Sequence, residues 1–255
     1  MKTGPELVDA ANLSLVGSYR TLVGHCPRGE IREVHGVFTF ATGLPLSLFN
    51  GCVVVGPTSP SAFEAALAWI GERSLPYRVW IDEERAPGLA SVALARGLEP
   101  DPVPYPGMVL HPVPEAPAPS PGVTVTPVTR ANLSEHQGVR VESGLPLELA
   151  RELFSPSFAA DPDVQLFTAR LDGRPVGAAA AIRSGDVAGV YAVGTLAAAR
   201  RRGVGTAATW AAVAAGRAWG CDTVVLQSSE MAYSMYAAMG FRTVVSYATF
   251  KRPTI

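Results

Sequence analysis

Val190-Tyr191-Ala192-Val193-Gly194-Thr195-Leu196-Ala197-Ala198-Ala199-Arg200-Arg201-Arg202-Gly203-Val204-Gly205-Thr206 reads as a strand, a short basic loop, two glycines and the start of a helix. Branched and aromatic residues from Val187 to Thr195 carry the strand. The alanine-rich segment Thr206 to Trp219 carries the helix. Gly203 and Gly205 free the backbone of side chains where the helix begins, so a bulky anion can approach the main-chain N–H groups. Unpaired amides and the helix dipole make such a start an anion site. Arg200, Arg201 and Arg202 add positive charge beside it. The segment is read as a pyrophosphate-binding turn.

Three kinds of glycine loop compete for it. The phosphate loop of nucleotide hydrolases ends in Gly-Lys-Ser/Thr, and here Gly205-Thr206 has no lysine. Gly203-Val204-Gly205-Thr206-Ala207-Ala208 fits the dinucleotide pattern G-x-G-x-x-A, with Asp222 after the helix. That fingerprint opens a doubly wound sheet, for which only about fifty residues remain. Arg200-Arg201-Arg202-Gly203-Val204-Gly205 fits Gln/Arg-x-x-Gly-x-Gly/Ala, the acyl-coenzyme A loop. Downstream, Val224-Val225-Leu226-Gln227 leads into a segment ending Met235-Tyr236-Ala237-Ala238-Met239-Gly240-Phe241, a tyrosine four residues before Gly-Phe. In these two motifs the sequence, over roughly 122–251, resembles the GNAT superfamily of acyl-CoA-dependent N-acetyltransferases.

With 255 residues, 48% of them hydrophobic, the chain holds one large or two small domains. A net charge of −1 gives no overall basic bias, which argues against a general nucleic-acid or membrane-surface binder. The N-terminus lacks the shape of a signal peptide and no stretch has a membrane helix's apolar length. The expectation is a cytoplasmic protein. Cys26, Cys52 and Cys221 form neither a disulfide framework nor a metal cluster. The four histidines show no metal-ligand spacing and no metal is expected.

The chain divides at 112–121, where five prolines in ten residues make a stiff extended linker. Before it, residues 1–25 read as a helix and Arg32 to Phe40 as one strand. A strand at Gly51–Val55, a helix capped by Ser59 or Ser61, a strand at Tyr77–Ile81, a short helix over Pro87–Arg96 and a strand at Met108–His111 follow. After it come strand Val123–Val128, helices over Ala131–Glu142 and Leu147–Leu153, and strands Val164–Arg170 and Pro175–Ile182, hinged at Asp172-Gly173. The motif strand and helix, strand Thr223–Gln227, helix Glu230–Met239 and strand Thr243–Phe250 complete it.

The strand–helix–strand–helix–strand order of 51–111 repeats that of 187–250. In the first copy Pro57-Thr58-Ser59-Pro60 stands where the anion loop would be. The expectation is an α/β (α+β) protein of two tandem GNAT-like domains, each a mixed, mostly antiparallel sheet flanked by helices. Residues 1–111 are a degenerate copy, 112–121 the linker and 122–255 the acetyl-CoA-binding catalytic domain. The whole arrangement resembles two-domain members of the superfamily.

The resemblance implies acetyl-CoA as co-substrate and a primary amine, here a small molecule, as acceptor. It implies that amides from Arg201 to Thr206, with Arg200, hold the pyrophosphate. Val193 and Thr195 would pair with the pantetheine arm, and Gly194 suits a bulge. The Val193 N–H is the candidate oxyanion donor, and Tyr236 the candidate general acid, a phenol able to share its proton with a departing thiolate, with Tyr233 three residues earlier as its competitor. Ser229 stands where the superfamily often has a cofactor-contacting asparagine. The strand Val187–Val193 carries no carboxylate to serve as base. Glu142, Glu148 and Glu230 are weak candidates, with Glu142 near the acceptor, and Asn50 is a candidate for facing the acceptor from the first half. Trp69, Trp80, Trp210 and Trp219 are read as packing. Two rival readings stand: a non-catalytic acyl-CoA sensor or scaffold, and a nicotinamide-dinucleotide oxidoreductase. The protein is expected to be a monomer or homodimer.

Overall fold

A computed structural model describes residues 2–252. The first half contains helix α1 (Gly4–Gly24), strands β1 (Glu30–Val34), β2 (Val37–Ala41) and β3 (Asn50–Val54), helix α2 (Pro60–Gly71), β4 (Arg78–Asp82), α3 (Leu89–Ala95), β5 (Glu99–Pro100) and β6 (Tyr105–Leu110). The second contains β7 (Val123–Pro127), α4 (Leu133–Glu142), α5 (Leu147–Leu153), α6 (Pro156–Ala159), β8 (Val164–Leu171), β9 (Arg174–Ser184) and β10 (Val187–Thr195). It closes with α7 (Val204–Ala218), β11 (Thr223–Gln227), α8 (Glu230–Ala238) and β12 (Arg242–Lys251). No described helix is long and apolar enough to cross a membrane.

Most elements lie where the sequence puts them, with one clear correction. Arg32–Phe40 is not a single strand but a hairpin, β1 and β2 paired antiparallel with Val34 opposite Val37. His35 and Gly36 both adopt positive φ, 49° and 84°, as a two-residue hairpin turn requires. The apolar alternation runs through the turn and conceals it.

The twelve strands of the described residues form one mixed, mostly antiparallel sheet in the order β1-β2-β3-β4-β12-β6-β11-β10-β9-β8-β7, with β5 beside β12. The order at the centre crosses the two halves. The last strand of the second half, β12, pairs with β4 of the first, Ala248 opposite Ile81. The last strand of the first half, β6, pairs with β11 of the second, Val225 opposite Val109. The exchanged strands also pair with each other, Thr243 opposite Met108. Each half therefore lends its final strand to the other.

Helices cover both faces. On one, α1 spans the junction: Leu7, Ala11, Leu15 and Tyr19 pack on Phe40 and Trp80 of the first half, on the exchanged Val109 and Tyr247, and on Val187 and Val225. Burial of each such large side chain is worth roughly 1.5–3 kcal/mol. Tyr247, fully buried, donates to Asn12 Oδ1 at 2.7 Å and so ties β12 to α1. Gly17 lets α1 close on β9, since a Cβ there would lie 2.2 Å from Ser184 Oγ. On the other face α7 covers the second half's core through Val204, Ala208, Ala212 and Val213.

The exchange predicts one cooperative unfolding transition. Variants retaining only Trp69 and Trp80, or only Trp210 and Trp219, should report coincident urea midpoints. Two separated midpoints would show that the halves are independent.

Candidate functional site

Strand β10 pairs in parallel with β11 at only three positions, Val187 to Gly189. Beyond Gly189 the two strands part. On its other edge β10 stays paired with β9, but Tyr191 faces Ala180 and Gly194 faces Ala178, so two residues oppose one. Ala192 sits in this bulge at φ 52°, a conformation costing an alanine roughly 1–2 kcal/mol. The bulge takes Val193 out of the β9 ladder.

A buried cation holds the bulge. Arg140 of α4 donates through Nη2 to the Ala192 carbonyl, with its guanidinium 4.9 Å from the Phe154 ring centre. Burial pulls its pKa down to about 10, so it stays charged at neutral pH. One turn away, His136 is fully buried with Nδ1 3.1 Å from the Phe167 carbonyl. Burial, then the Arg140 charge, push its pKa down to about 3; the neutral ring therefore carries its proton on Nδ1. The sequence reading missed Arg140, although a basic residue on the buried Leu133–His136–Val139 face of α4 is the signal that marks it.

After β10 the chain turns sharply, with Arg201 at φ 63° and Gly203 at 79°. Gly203 is the N-cap of α7 and supplies no side-chain cap. The amides of Val204, Gly205 and Thr206 head the helix; the first turn closes with Ala207 N–H donating to the Gly203 carbonyl at 2.9 Å. A Cβ on Gly205 would lie 3.4 Å from Thr195 Oγ1 and 3.5 Å from Met235 Sδ. The helix start therefore faces the end of β10 and the side of α8. Arg200, Arg201 and Arg202 are exposed; Arg202 lies 3.4 Å from Asp172 and Arg200 reaches the Thr195 carbonyl.

The corresponding start in the first half is closed. Ser59 caps α2, accepting from Ala62 N–H at 3.2 Å, and Pro60 removes an amide. There β3 and β4 stay paired from Gly51 to Val54, with no parting of strands.

Where β10 and β11 separate, a cavity of about 410 Å³ opens. Val193, Gln227, Ser229 and Tyr236 line one side; Leu15, Tyr19, Trp80 and Tyr105 of the first half line the other. Tyr236 is 6% exposed, its ring edge-on to Phe241 at 5.9 Å. Burial pushes its phenol up to about 12, so it is protonated throughout the neutral range. Ser229 is the N-cap of α8 with its hydroxyl uncommitted to the helix. The structure thus brings Val193, Ser229 and Tyr236 together around one cavity; Gly194, Thr195 and the Arg200–Thr206 loop do not line it, though Gly205 sits beside Thr195 and Met235.

Two substrate-side candidates do not join them. Asn50 is fully buried, and its amide is consumed internally: Oδ1 accepts from Thr42 N–H at 2.9 Å, and Nδ2 donates to Leu44, Leu46 and Pro76 carbonyls. It fastens the loop before β3 and has no group left for a ligand. Glu142 is exposed at the end of α4, 3.3 Å from Arg174, and does not line the cavity. Trp80, read as packing, does line it.

An acyl-CoA fits these features. The uncapped α7 start suits its pyrophosphate, the parted strand suits a pantetheine arm, and the cavity suits the thioester end. Residues 133–241 match the model of the Acetyltransferase (GNAT) family. This segment is similar to a GNAT domain. The fold of the whole chain is shared with solved structures. A GCN5-related N-acetyltransferase from Kribbella flavida is similar over 98% of this chain and 96% of its own, at 24% identity and TM-score 0.70. A tandem GNAT protein from the clavulanic acid biosynthesis pathway is similar over 98% and 97%, at 13% and 0.61. A conserved protein of unknown function from Staphylococcus epidermidis is similar over 89% and 95%, at 14% and 0.62. No curated protein sequence matches the chain significantly.

Gly205 gives a clean test of the loop, because its Cβ position meets only ordinary contacts. Gly205→Asp puts a carboxylate against the anion site. Acetyl-CoA binding should fall about thirtyfold, about 2 kcal/mol, the upper range for a charge at a helix start, with the thermal midpoint nearly unchanged. Calorimetry checks both.

Proposed function

We propose that the protein is an acetyl-CoA-dependent N-acetyltransferase acting on the primary amine of a small molecule. The observation that carries this reading is the parting of β10 from β11 beside an uncapped helix start, with Val193 and Tyr236 lining the space between. Acetyl-CoA supplies an activated acyl group as a thioester. The amides of Val204 to Thr206 hold its pyrophosphate, aided by Arg200 and Arg201. The Val193 N–H, released from the ladder by the bulge, faces the thioester oxygen and stabilises charge developing there. Arg140 keeps that N–H in position by anchoring the Ala192 carbonyl.

Tyr236 hydrogen-bonds the departing sulfur. A phenol near 12 exceeds a thiol near 8.5, so it gives up its proton only as the N–H proton of the attacking amine replaces it. The proton passes from nitrogen to sulfur through the phenol, which ends as it began.

We further propose that residues 1–111 are a degenerate copy of the same domain, unable to hold acetyl-CoA. The Ser59 cap and the unparted β3–β4 pair support this. We place the protein in the cytoplasm as a monomer or homodimer, with neither a nucleic acid nor a membrane as partner.

Calorimetric titration should give micromolar acetyl-CoA binding and none of NADH; the reverse would favour the oxidoreductase. Tyr236→Phe should lower kcat by roughly 10²-fold, the low end for a lost proton-transfer group, with the KM for acetyl-CoA within threefold. Free-thiol release monitors turnover. Unchanged kcat would remove Tyr236 from the mechanism, and binding without turnover on any amine would favour a sensor.

A further inference from the structure

The cavity between the halves has a chemistry that restricts what enters it. Among the described residues lining it there is no Asp, Glu, His, Lys or Arg. Its polar groups are the phenols of Tyr19, Tyr105, Tyr191 and Tyr236, with Ser18, Ser229, Gln227 and the Trp80 indole. Leu15, Leu48, Phe49, Phe154, Phe158 and Ile182 supply most of the remainder.

The charges behind this lining are positive or already paired. Arg140 lies behind Phe154 at 4.9 Å, and Arg78 behind Tyr105 at 5.4 Å. Arg78 is partnered by Asp101 at 2.7 Å, whereas Arg140 contacts only a neutral carbonyl and ring. Of the carboxylates near the lining in sequence, Glu230 is exposed to solvent at the start of α8, and two others have partners. Asp82 accepts from Asn12 at 3.2 Å and lies 3.7 Å from Arg85; Glu152 lies 3.8 Å from Arg28. An ammonium entering here would lose its water and gain no anion.

Burial raises the phenols of Tyr19, Tyr191 and Tyr236, so they stay neutral at working pH and none is an ionised phenolate base that could deprotonate an ammonium. Tyr191 is held further by Ser14, its hydroxyl 2.8 Å from both the Ser14 side chain and carbonyl. Size adds a limit: a cavity of roughly 150 Å³ takes a benzene, so about 410 Å³ accommodates the thioester end and one ring-sized body.

We infer that the acceptor is a primary monoamine carried on an aromatic or branched-alkyl body, which enters as the free base. This rests on the acetyltransferase reading above. The amine nitrogen forms the C–N bond with its own lone pair, the C–S bond breaks, and one N–H proton ends on sulfur. The nitrogen arrives without the additional proton that an enzyme base would have to remove. Polyamines and polycationic sugars are excluded because their remaining ammonium groups would be stranded among rings.

The test compares 2-phenylethylamine and benzylamine with 1,4-diaminobutane and spermidine, on the full chain with acetyl-CoA. The arylalkylamines should exceed the polyamines in kcat/KM at least tenfold; polyamines at or above parity would overturn the inference. The rising limb of kcat/KM against pH should shift between the two arylalkylamines by the difference of their solution pKa values. A midpoint common to both would reveal a base on the protein and overturn the free-base part. Leu48→Asp, at a position 43% exposed on the rim, should move the ratio at least fivefold toward 1,4-diaminobutane; an unmoved ratio would show that the amine does not bind there. Acetyl-CoA binding is titrated separately. Its absence defeats the acetyltransferase reading itself, whereas binding with a reversed amine preference defeats only this inference.

Discussion

Two paired strands cannot separate in mid-sheet without leaving backbone N–H and C=O groups to be satisfied in some other way. That constraint governs this molecule, because β10 leaves β11 after Gly189. Each strand survives the separation through its far edge. β10 remains on β9 through a bulge whose Ala192 carbonyl is taken by Arg140. β11 remains on β6, a strand that belongs to the other half of the chain. Helix α1 then covers the opening and packs on both halves at once. The cavity is thus produced by the sheet, and the sheet is kept intact by the exchange of strands and a buried arginine.

Local physics made much of this legible in the sequence. The strand–glycine–helix unit at 187–219 falls where branched residues, glycines and alanines put it, and the proline run marks the crossing between halves. The strand exchange was not legible. Hydrophobic alternation says which side chains of β6 and β12 are buried, but not which neighbour they are buried beside. Val109 and Val225 are equally apolar in either pairing. The β1–β2 turn was hidden for a simpler reason: His35 is a non-glycine residue at positive φ, and its side chain gives no signal of that.

The site divides along the same line. Val193, Ser229 and Tyr236, which line the cavity, could be named from the sequence because a motif fixes their distance from the loop. Asn50 was misread: a polar residue ending an apolar run resembles a ligand group until the surrounding carbonyls are seen to use its amide. Trp80 and Tyr105 escaped notice because aromatic residues in a first half that lacks the loop suggest only packing. Their part in the cavity follows from the fold setting β6 beside β11 and β4 beyond it across β12, which no local pattern announces.

The linker takes on a different meaning beside the exchanged strands. Ten proline-rich residues at about 3.1 Å each span roughly 30 Å. They hold the halves at an effective concentration on the order of millimolar. Each half of the chain completes the other's sheet through its last strand. Two separate copies could satisfy the same pairings by trading halves, each β12 filling the slot beside a foreign β4. The tether disfavours that alternative while protein concentration lies below its own effective value. A cut within the linker would change the order of the folding reaction from unimolecular to bimolecular while leaving the pairings of the folded state unaltered.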